Sequence, residues 1–524
     1  MSEATPTGWV QATLGDVLSC IDTGSSFRCE ERPPQQSEIG VVKVSAVTWG
    51  TYDEQESKTC TDPDRVDLAT LVKPGDFLFS RANTIELIGA CVIAERVTKR
   101  IMLSDKILRF DIAGINPRWV LWYLRSPNGR AEIQRLSTGN QMSMRNIGQE
   151  RIRQIPLPIS PSSESERILD ALDERLSDLD ASVASLERAE RNLVRYRAAV
   201  LAAACSGRLV PTEADLARRA GRSYEPADQL LARILAERRK ANTKAKYEEP
   251  AQPDTGKLPK LPEGWTTASL EQLTSAVRPI CYGILMPKEN VQTGVLFVKV
   301  KDMKGDKIDL AGLHRTTPEI AAQYARASLR TGDLLLSIRG TFGRVAEVPK
   351  ELDGGNITQD TARLDVTSLV DHRYVATCLR SPISQERFKR VARGVAVKGV
   401  NIGDVRPAPI PLPPIAEQAR IVAEVDRHLS RADALAASIT QSKRRAQRLR
   451  RAILAAAFQG RLVPQDPHDE PASALLERIR AQTAVRASAF ISLCRRFTIV
   501  PQPELSENQV GFNVLDAGVV IYAT

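Results

Sequence analysis

Polar and basic side chains suited to gripping an extended anionic partner recur at matching places in the two halves of this chain. The loop TGNQMSMRN (138–146) carries Gln141, Ser143, Arg145 and Asn146, and its counterpart RGVAVKGVN (393–401) carries Lys398 and Asn401. A second set, Ser80, Arg81, Asn83, Thr84 and Glu86, aligns with Ser337, Arg339, Thr341 and Arg344. A third, Lys43, Ser45 and Thr48, is matched by Lys299, Lys301 and Asp302. Amide, hydroxyl, ammonium and guanidinium groups can bond both phosphates, which position a protein, and base edges, which specify sequence. For any one residue of the second set, a strand end that packs its own domain is an equally good reading. For Gly139, Gly148, Gly394 and Gly403, turn geometry is the better one.

That chemistry is recognition rather than turnover. The chain has no NPPY-type tetrapeptide for methylating an extruded adenine, no GxxxxGK[ST] phosphate loop and no carboxylate–lysine set with nuclease spacing. His314, His372, His428 and His468 lack metal-ligand spacing, and none has a matching histidine in the other half. The eight cysteines show no CxxC spacing and do not recur, which argues against a disulfide framework or zinc site and for a cytoplasmic home. No run approaches 18 apolar residues and the N-terminus lacks a signal-peptide core, so membrane and export readings drop out. Net charge is +10, from 73 basic and 63 acidic residues, which favours a polyanionic partner. Residues 125–153 set Arg125, Arg130, Arg135, Arg145, Arg151 and Arg153 against Glu132 and Glu150. Residues 380–408 set Arg380, Arg387, Lys389, Arg390, Arg393, Lys398 and Arg406 against Glu386 and Asp404. One such run is ordinarily a solvated helix face, but recurrence in register points to a phosphate-contacting surface.

The elements that position these residues are duplicated at a shift of about 255 residues. GW recurs at Gly8 and Gly264, PGD and TGD at Gly75 and Gly332, IPLP at Ile155 and Ile410, and GRLVP at Gly207 and Gly460. A chain of 524 residues is too long for one core, and two equivalent halves fit the period. β-rich runs at 41–47, 76–79, 91–94 and 107–111, then a helix over 119–136, predict a small mixed α/β domain. The second copy predicts strands at 296–300, 333–338, 344–347 and 362–366 and a helix over 374–391. Each domain closes on a proline-bounded stretch, 155–158 or 410–414, read as a semi-rigid hinge.

A long helix follows each hinge. Leu172, Leu176, Leu179, Val183, Leu186, Leu193 and Val200 keep a 3.5-residue stripe, interrupted at Glu190 and Arg197. Val425, Leu429, Ala432, Ala436, Ile439, Ala446 and Ile453 keep the matching stripe, interrupted at Lys443 and Arg450. These are coiled-coil seams, and two like helices in one chain are expected to pack on each other. Parallel pairing would oppose Glu190 and Lys443, antiparallel pairing would separate them, and the pattern leaves the choice open. Helices over 164–205 and 417–458 would each span roughly 63 Å, a ruler between the globular domains. After GRLVP come shorter helices, EPADQLLARILAER from Glu225 and EPASALLERIRAQ from Glu470, and a mobile linker rich in Lys, Pro and Glu separates the halves.

The texts LVKPGDFLFSRANTIELIGA (71–90), GDLLLSIRGTFGRVAEVP (332–349), NITQDTARLDV (356–366), IPLPPIAEQARIV (410–422) and GRLVPQDPHDEPASALLERI (460–479) resemble the specificity subunit of type I restriction-modification systems. The resemblance covers about 9–483. It implies an α+β chain in which two mixed α/β target recognition domains are joined by two long helices forming an antiparallel intrachain coiled coil, with pseudo-two-fold symmetry. The expected segments are recognition domains 1–158 and 263–413, helical regions 159–246 and 414–483, a linker 247–262, and a tail 484–524 of unknown role. Each domain would read one half of a bipartite, asymmetric site in double-stranded DNA, with the loops 138–146 and 393–401 approaching the major groove. On this reading Lys43, Ser45, Arg81, Asn83, Thr84, Gln141, Ser143, Arg145, Asn146, Lys299, Lys301, Arg339, Thr341, Arg344, Lys398 and Asn401 contact DNA. The chain itself would hold no cofactor or metal and catalyse nothing. Two methyltransferase subunits and the restriction/translocase subunits would dock on it and use S-adenosylmethionine, ATP and Mg2+. The alternatives are a self-contained restriction or methylation enzyme and a coiled-coil scaffold with no DNA role. The first copy departs from the second in reading SPSSESERIL where the second reads PPIAEQARIV, and in carrying eight more residues between GRLVP and EPA.

Overall fold

A computed structural model describes residues 6–48, 50–141, 144–241, 247–256, 260–394, 398–482, 513–514 and 519–520. Ser143 and most of the 484–524 tail lie outside the described residues. The chain divides into two compact units, Met1–Val183 with Arg444–Thr524, and Ala184–Lys443.

In the first unit an antiparallel sheet runs in the order Leu18–Thr23, Ile107–Ile112, Phe77–Ser80 and Cys91–Ile93. Beside it, Ile39–Val42 pairs antiparallel with Ser57–Thr59 and parallel with Arg100–Met102. Phe77, Phe79 and Phe110 stack within the core, and Trp119 packs 5.5 Å from Trp9 and 4.9 Å from Phe458, which follows the second long helix. Ile453, Leu454, Ala457, Leu476 and Ile479 join the same core, so the end of the second long helix and helical residues 472–482 pack in the first copy's domain.

The second unit repeats this order. Its sheet runs Cys281–Tyr282, Thr361–Leu364, Leu334–Ser337 and Val345–Glu347, and Val295–Val298 pairs antiparallel with His314–Thr316 and parallel with Asn356–Ile357. Val200, Ala204 and Cys205 from the end of the first long helix, and Leu230 and Ile234 from Ala227–Lys240, complete its core around Trp265 and Tyr374. Where the first unit sets Phe458 against Tyr123, the second sets Cys205 against Cys378, with sulfurs 3.4 Å apart. Cys205 and Cys378 have no cysteine counterparts in the first copy because a large aromatic pair and a small thiol pair fill equivalent positions differently.

Both long helices form, as Ser162–Ala204 and Ile415–Ala457, each 43 residues. Pro161 and Pro414 stand at the first turns, where a missing N–H costs nothing, and their carbonyls accept from Ser165 and Gln418. Gly207 and Gly460 end the helices at φ +68° and +63°, where only glycine is relaxed, and the N–H of Arg208 and Arg461 bonds back to Ala203 and Ala456. Within the second unit Arg197 meets Asp433 at 2.6 Å while Glu190 meets Lys443 at 2.7 Å, so numbering rises on one helix as it falls on the other. Pairing is therefore antiparallel. Contrary to expectation it also joins Glu190 to Lys443, because these residues stand where the two opposed stripes cross in register. In the first unit Asp180 pairs with Arg450.

Three further expectations need correction. Each domain helix is two helices, Pro117–Arg125 then Pro127–Leu136, and His372–Arg380 then Pro382–Val391. Ser126 and Ser381 break them by accepting the N–H of Gly129 and Ser384 ahead of a first-position proline. The proline stretches are not hinges. Pro156–Ile159 and Pro409–Leu412 are strands paired antiparallel with Val10–Thr13 and Thr266–Ser269, with prolines tolerated because each ladder has only two strands. The described part of the expected mobile linker is also tied down: Ala251 N–H donates to Glu271, and Asp254 N–H to the Pro407 carbonyl. The extra residues of the first copy fold as a helix, Glu213–Ala220, capped by Thr212 and closed by left-handed Gly221.

Candidate nucleic-acid interface

In the second unit, three candidate segments converge. Strand Leu334–Ser337 runs into a turn in which Gly340 N–H donates to the Lys398 carbonyl at 3.1 Å and Val400 N–H to Ile338 at 2.7 Å. Arg339 also bridges Gly399 through the backbone, so residues 398–400 are laid along the 338–341 turn, while residues 395–397 of the expected loop lie outside the described residues. Facing them is the short 3-10 turn Val300–Asp302. Between this 3-10 turn and the 338–341 turn lies a cavity of about 470 Å³ lined by Lys301, Lys304, Arg339, Thr341, Arg344 and Asp360. Four cations face one carboxylate there, an environment for an anion. The Arg344 guanidinium is fixed by the carbonyls of Val300 and Met303, at 3.1 and 2.8 Å, so it shapes the wall. Arg339 and Thr341 are exposed, as are Lys398 and Asn401 on the adjoining loop. Lys299 turns elsewhere, with its ammonium 3.3 Å from His314 Nδ1 and over the Phe297 ring. Lys304 and Asp360 were missed by spacing. Lys304 extends the basic run from Lys299, but nothing local shows that it folds back on the Arg339 turn.

The first unit brings two candidate sets onto one small sheet. Met144–Asn146 pairs with Ala82–Asn83, setting Arg145 opposite Asn83, and with Thr138–Gln141, setting Gln141 opposite Met144. Gln141 and Asn146 are exposed, and Arg81 and Thr84 half-buried. Asn83 uses its side-chain oxygen on the Thr84 N–H. Arg145 is internally committed: it donates to the carbonyls of Gly139 and Ser137 at 2.7 and 2.8 Å and so holds its own turn. Gly139 sits there at φ +127°, where an added Cβ would come 2.5 Å from the Met144 carbonyl oxygen. Lys43 lies 3.5 Å from Glu31, and Ser45 donates to Glu56 at 2.6 Å, so the third set faces carboxylates.

Several cations of the recurrent basic segments, expected as phosphate-contacting surface, are instead spent on backbone carbonyls of their own domain. Arg125 donates to the Cys91 and Gly50 carbonyls, and its counterpart Arg380 to Val345. Arg130 donates to Ile88, Arg151 to Leu136, Arg153 to Leu18, and Arg387 to Asp404. Burial lowers Arg125, Arg380 and Arg387 and takes Arg130 to about 10, as expected for cations withdrawn from water and satisfied by carbonyls. They recur because the domain architecture recurs.

Each domain is also clamped to a long helix. Trp9 Nε1 donates to Glu164, and Trp265 Nε1 to Glu417, both at 3.0 Å. Burial raises both carboxyls above the ordinary value, against the opposing effect of the indole hydrogen bonds. Arg167 pairs with Asp469 in one unit, and Arg420 with Glu213 in the other. The insertion in the first copy thus supplies Glu213, which does for the second unit what Asp469 does for the first. Among the described residues, no group of three or more His, Cys, Asp or Glu side chains could hold a metal ion, and no helix is long and apolar enough to cross a membrane.

Comparison with known proteins agrees with this architecture. Residues 262–442 match the family model of the type I restriction modification DNA specificity domain. The chain is 28% identical over 485 residues to the type I restriction enzyme EcoBI specificity subunit of Escherichia coli, covering 91% of this chain and 92% of that one. It is 25% identical over 509 residues to the StySPI specificity subunit of Salmonella potsdam, covering 92% and 96%. A chain from a solved type I restriction-modification system shares the fold at a TM-score of 0.56 and 17% identity, over 87% of this chain and 99% of that one. With the duplicated domains, the antiparallel helices and the family match over 262–442 pointing the same way, the chain is similar over most of its length to the DNA specificity subunits of type I restriction-modification systems.

Proposed function

We propose that the chain reads the two halves of a bipartite, asymmetric DNA site, one with each recognition domain, and offers its helical regions to two methyltransferase subunits and to restriction/translocase subunits. The observation that carries this reading is the cavity lined by Lys301, Lys304, Arg339 and Arg344, with residues 398–400 bonded to the 338–341 turn beside it. Cations around a concavity position a backbone phosphate, and the exposed Arg339, Thr341, Lys398 and Asn401 have the donors and acceptors to probe base edges. In the first domain the equivalent role falls to Arg81, Thr84, Gln141, Ser143 and Asn146, while Arg145, Arg344, Lys43 and Ser45 support the surface. S-adenosylmethionine, ATP and Mg2+ belong to the partner subunits. The test is mapping of methylated motifs in host DNA with and without the gene. Two separated half-motifs should vanish together; loss of neither would reject the reading.

A further inference from the structure

The second long helix carries a charge pattern that neither its packing nor the recognition domains use. From Ala434 to Gln465 the sequence holds no Asp or Glu but seven Lys and Arg residues. Lys443 and Arg450 are consumed by Glu190 and Asp180. In the first unit, Arg444, Arg448 and Arg451 are exposed, and no hydrogen bond or ion pair reaches their guanidinium groups among the described residues. Their i, i+4, i+7 spacing places them within about 60° of arc on the helix. Ala446 and Ile453, buried on the same helix, point to the opposite side, so the stripe faces away from that seam, with buried Leu454 flanking it about 60° from Arg451. Exposed Leu449 lies off the stripe. The face therefore lacks the apolar anchor expected at the centre of a protein-docking surface.

We infer that Arg444, Arg448 and Arg451 form a second, sequence-independent contact to DNA, in which they neutralise successive phosphates of the duplex that the recognition domains read. The inference rests on the proposed DNA-reading function and adds to it a positioning surface on the helix. Three guanidinium groups spread over seven residues span about 10 Å, or roughly three phosphate steps along one strand at 3.4 Å of axis rise each. The other long helix repeats two of the arginines as Arg191 and Arg195 but adds Glu187 beside them, which weakens its pull on a polyanion. The basic stripe is thus a property of the second helix rather than of the duplication.

The experiment measures binding of the full chain to a mixed-sequence duplex as salt is varied. The triple variant Arg444→Gln/Arg448→Gln/Arg451→Gln should reduce the magnitude of the log K against log salt slope by about two to three, given about 0.9 per phosphate contact. The Arg444→Lys/Arg448→Lys/Arg451→Lys variant should restore the slope, because a phosphate clamp needs charge and an internal strut needs the guanidinium shape. An unchanged slope in the Gln variant overturns the inference, and if binding of a purified methyltransferase subunit is lost instead, the face is a protein-docking surface. A Lys variant that behaves like the Gln variant also overturns it. Failure of the unmodified chain to bind duplex DNA would overturn the proposed function itself, an outcome distinct from full binding by the Gln variant.

Discussion

Residues of one chemical type carry different duties here, and burial decides which. Arg339 and Arg344 stand five positions apart around one cavity, yet one is exposed and the other is bonded to two backbone carbonyls. Arg344→Ala should therefore destabilise the second unit by about 1.5–3 kcal/mol, the scale of hydrogen bonds to a charged group, as read by chemical denaturation. Arg339→Ala should change stability by less than about 0.5 kcal/mol. Its effect should appear in DNA affinity, as a loss of about 1–3 kcal/mol with relaxed discrimination in one half-site. Reversal of these two profiles would show that the cavity has been assigned the wrong way round. Glu417 makes a pH-dependent case. Burial raises its carboxyl above the ordinary 4.5, so the folded protein holds that proton more tightly than the unfolded chain does. Its contribution is full below about 4.5 and is lost as pH rises through the folded value. The melting midpoint of the wild type relative to Glu417→Gln should thus be highest in acid and decline towards neutrality; a difference that grows with pH would contradict the assignment.

Among the elements, the long helices were the most legible because their signals are local. Proline in the first turn, a 3.5-residue apolar stripe and a left-handed glycine at the end act within a few residues of one another. The split of each domain helix at Ser126–Pro127 and Ser381–Pro382 was legible in principle. The apolar periodicity carried across it and hid it. Pairing direction was legible only through the family resemblance, which implied the antiparallel order found; the stripe left it open, since Glu190 and Lys443 suit either orientation near the crossing point of two like helices. The stripe rather than the ion pairs holds the helices together. Ile439, only 4% exposed, should cost about 2–5 kcal/mol when replaced by Ala. Glu190→Ala, which removes an exposed partner of Lys443, should cost at most about 1 kcal/mol in the same denaturation experiment. Comparable losses would mean that the ion pairs, not apolar burial, set the pairing.

At the scale of the whole molecule, the duplicated text and the compact units do not coincide. The text repeats end to end, whereas each compact unit combines one recognition domain with the start of its own long helix and the end of the other. Phe458 therefore packs against Trp119 and Tyr123, and Cys205 against Cys378, in cores far from their own copies in the chain. Exchanging residues 9–158 for the matching segment of another family member should change one half-motif in the methylation map and leave the other. A change in both would mean that the domains do not read independently.

The sequence by itself determined the duplication, the α+β character, the two long helices, and the family resemblance. Each of these depends on residue type and on spacing over a few turns, or on runs of text long enough to be specific. Only the tertiary structure decided which arginines are struts, which candidates share a cavity, and which helix end completes which core. Those outcomes depend on carbonyls, carboxylates and apolar faces supplied by residues tens to hundreds of positions away. A guanidinium looks the same in sequence whether water, a backbone carbonyl or a phosphate will meet it.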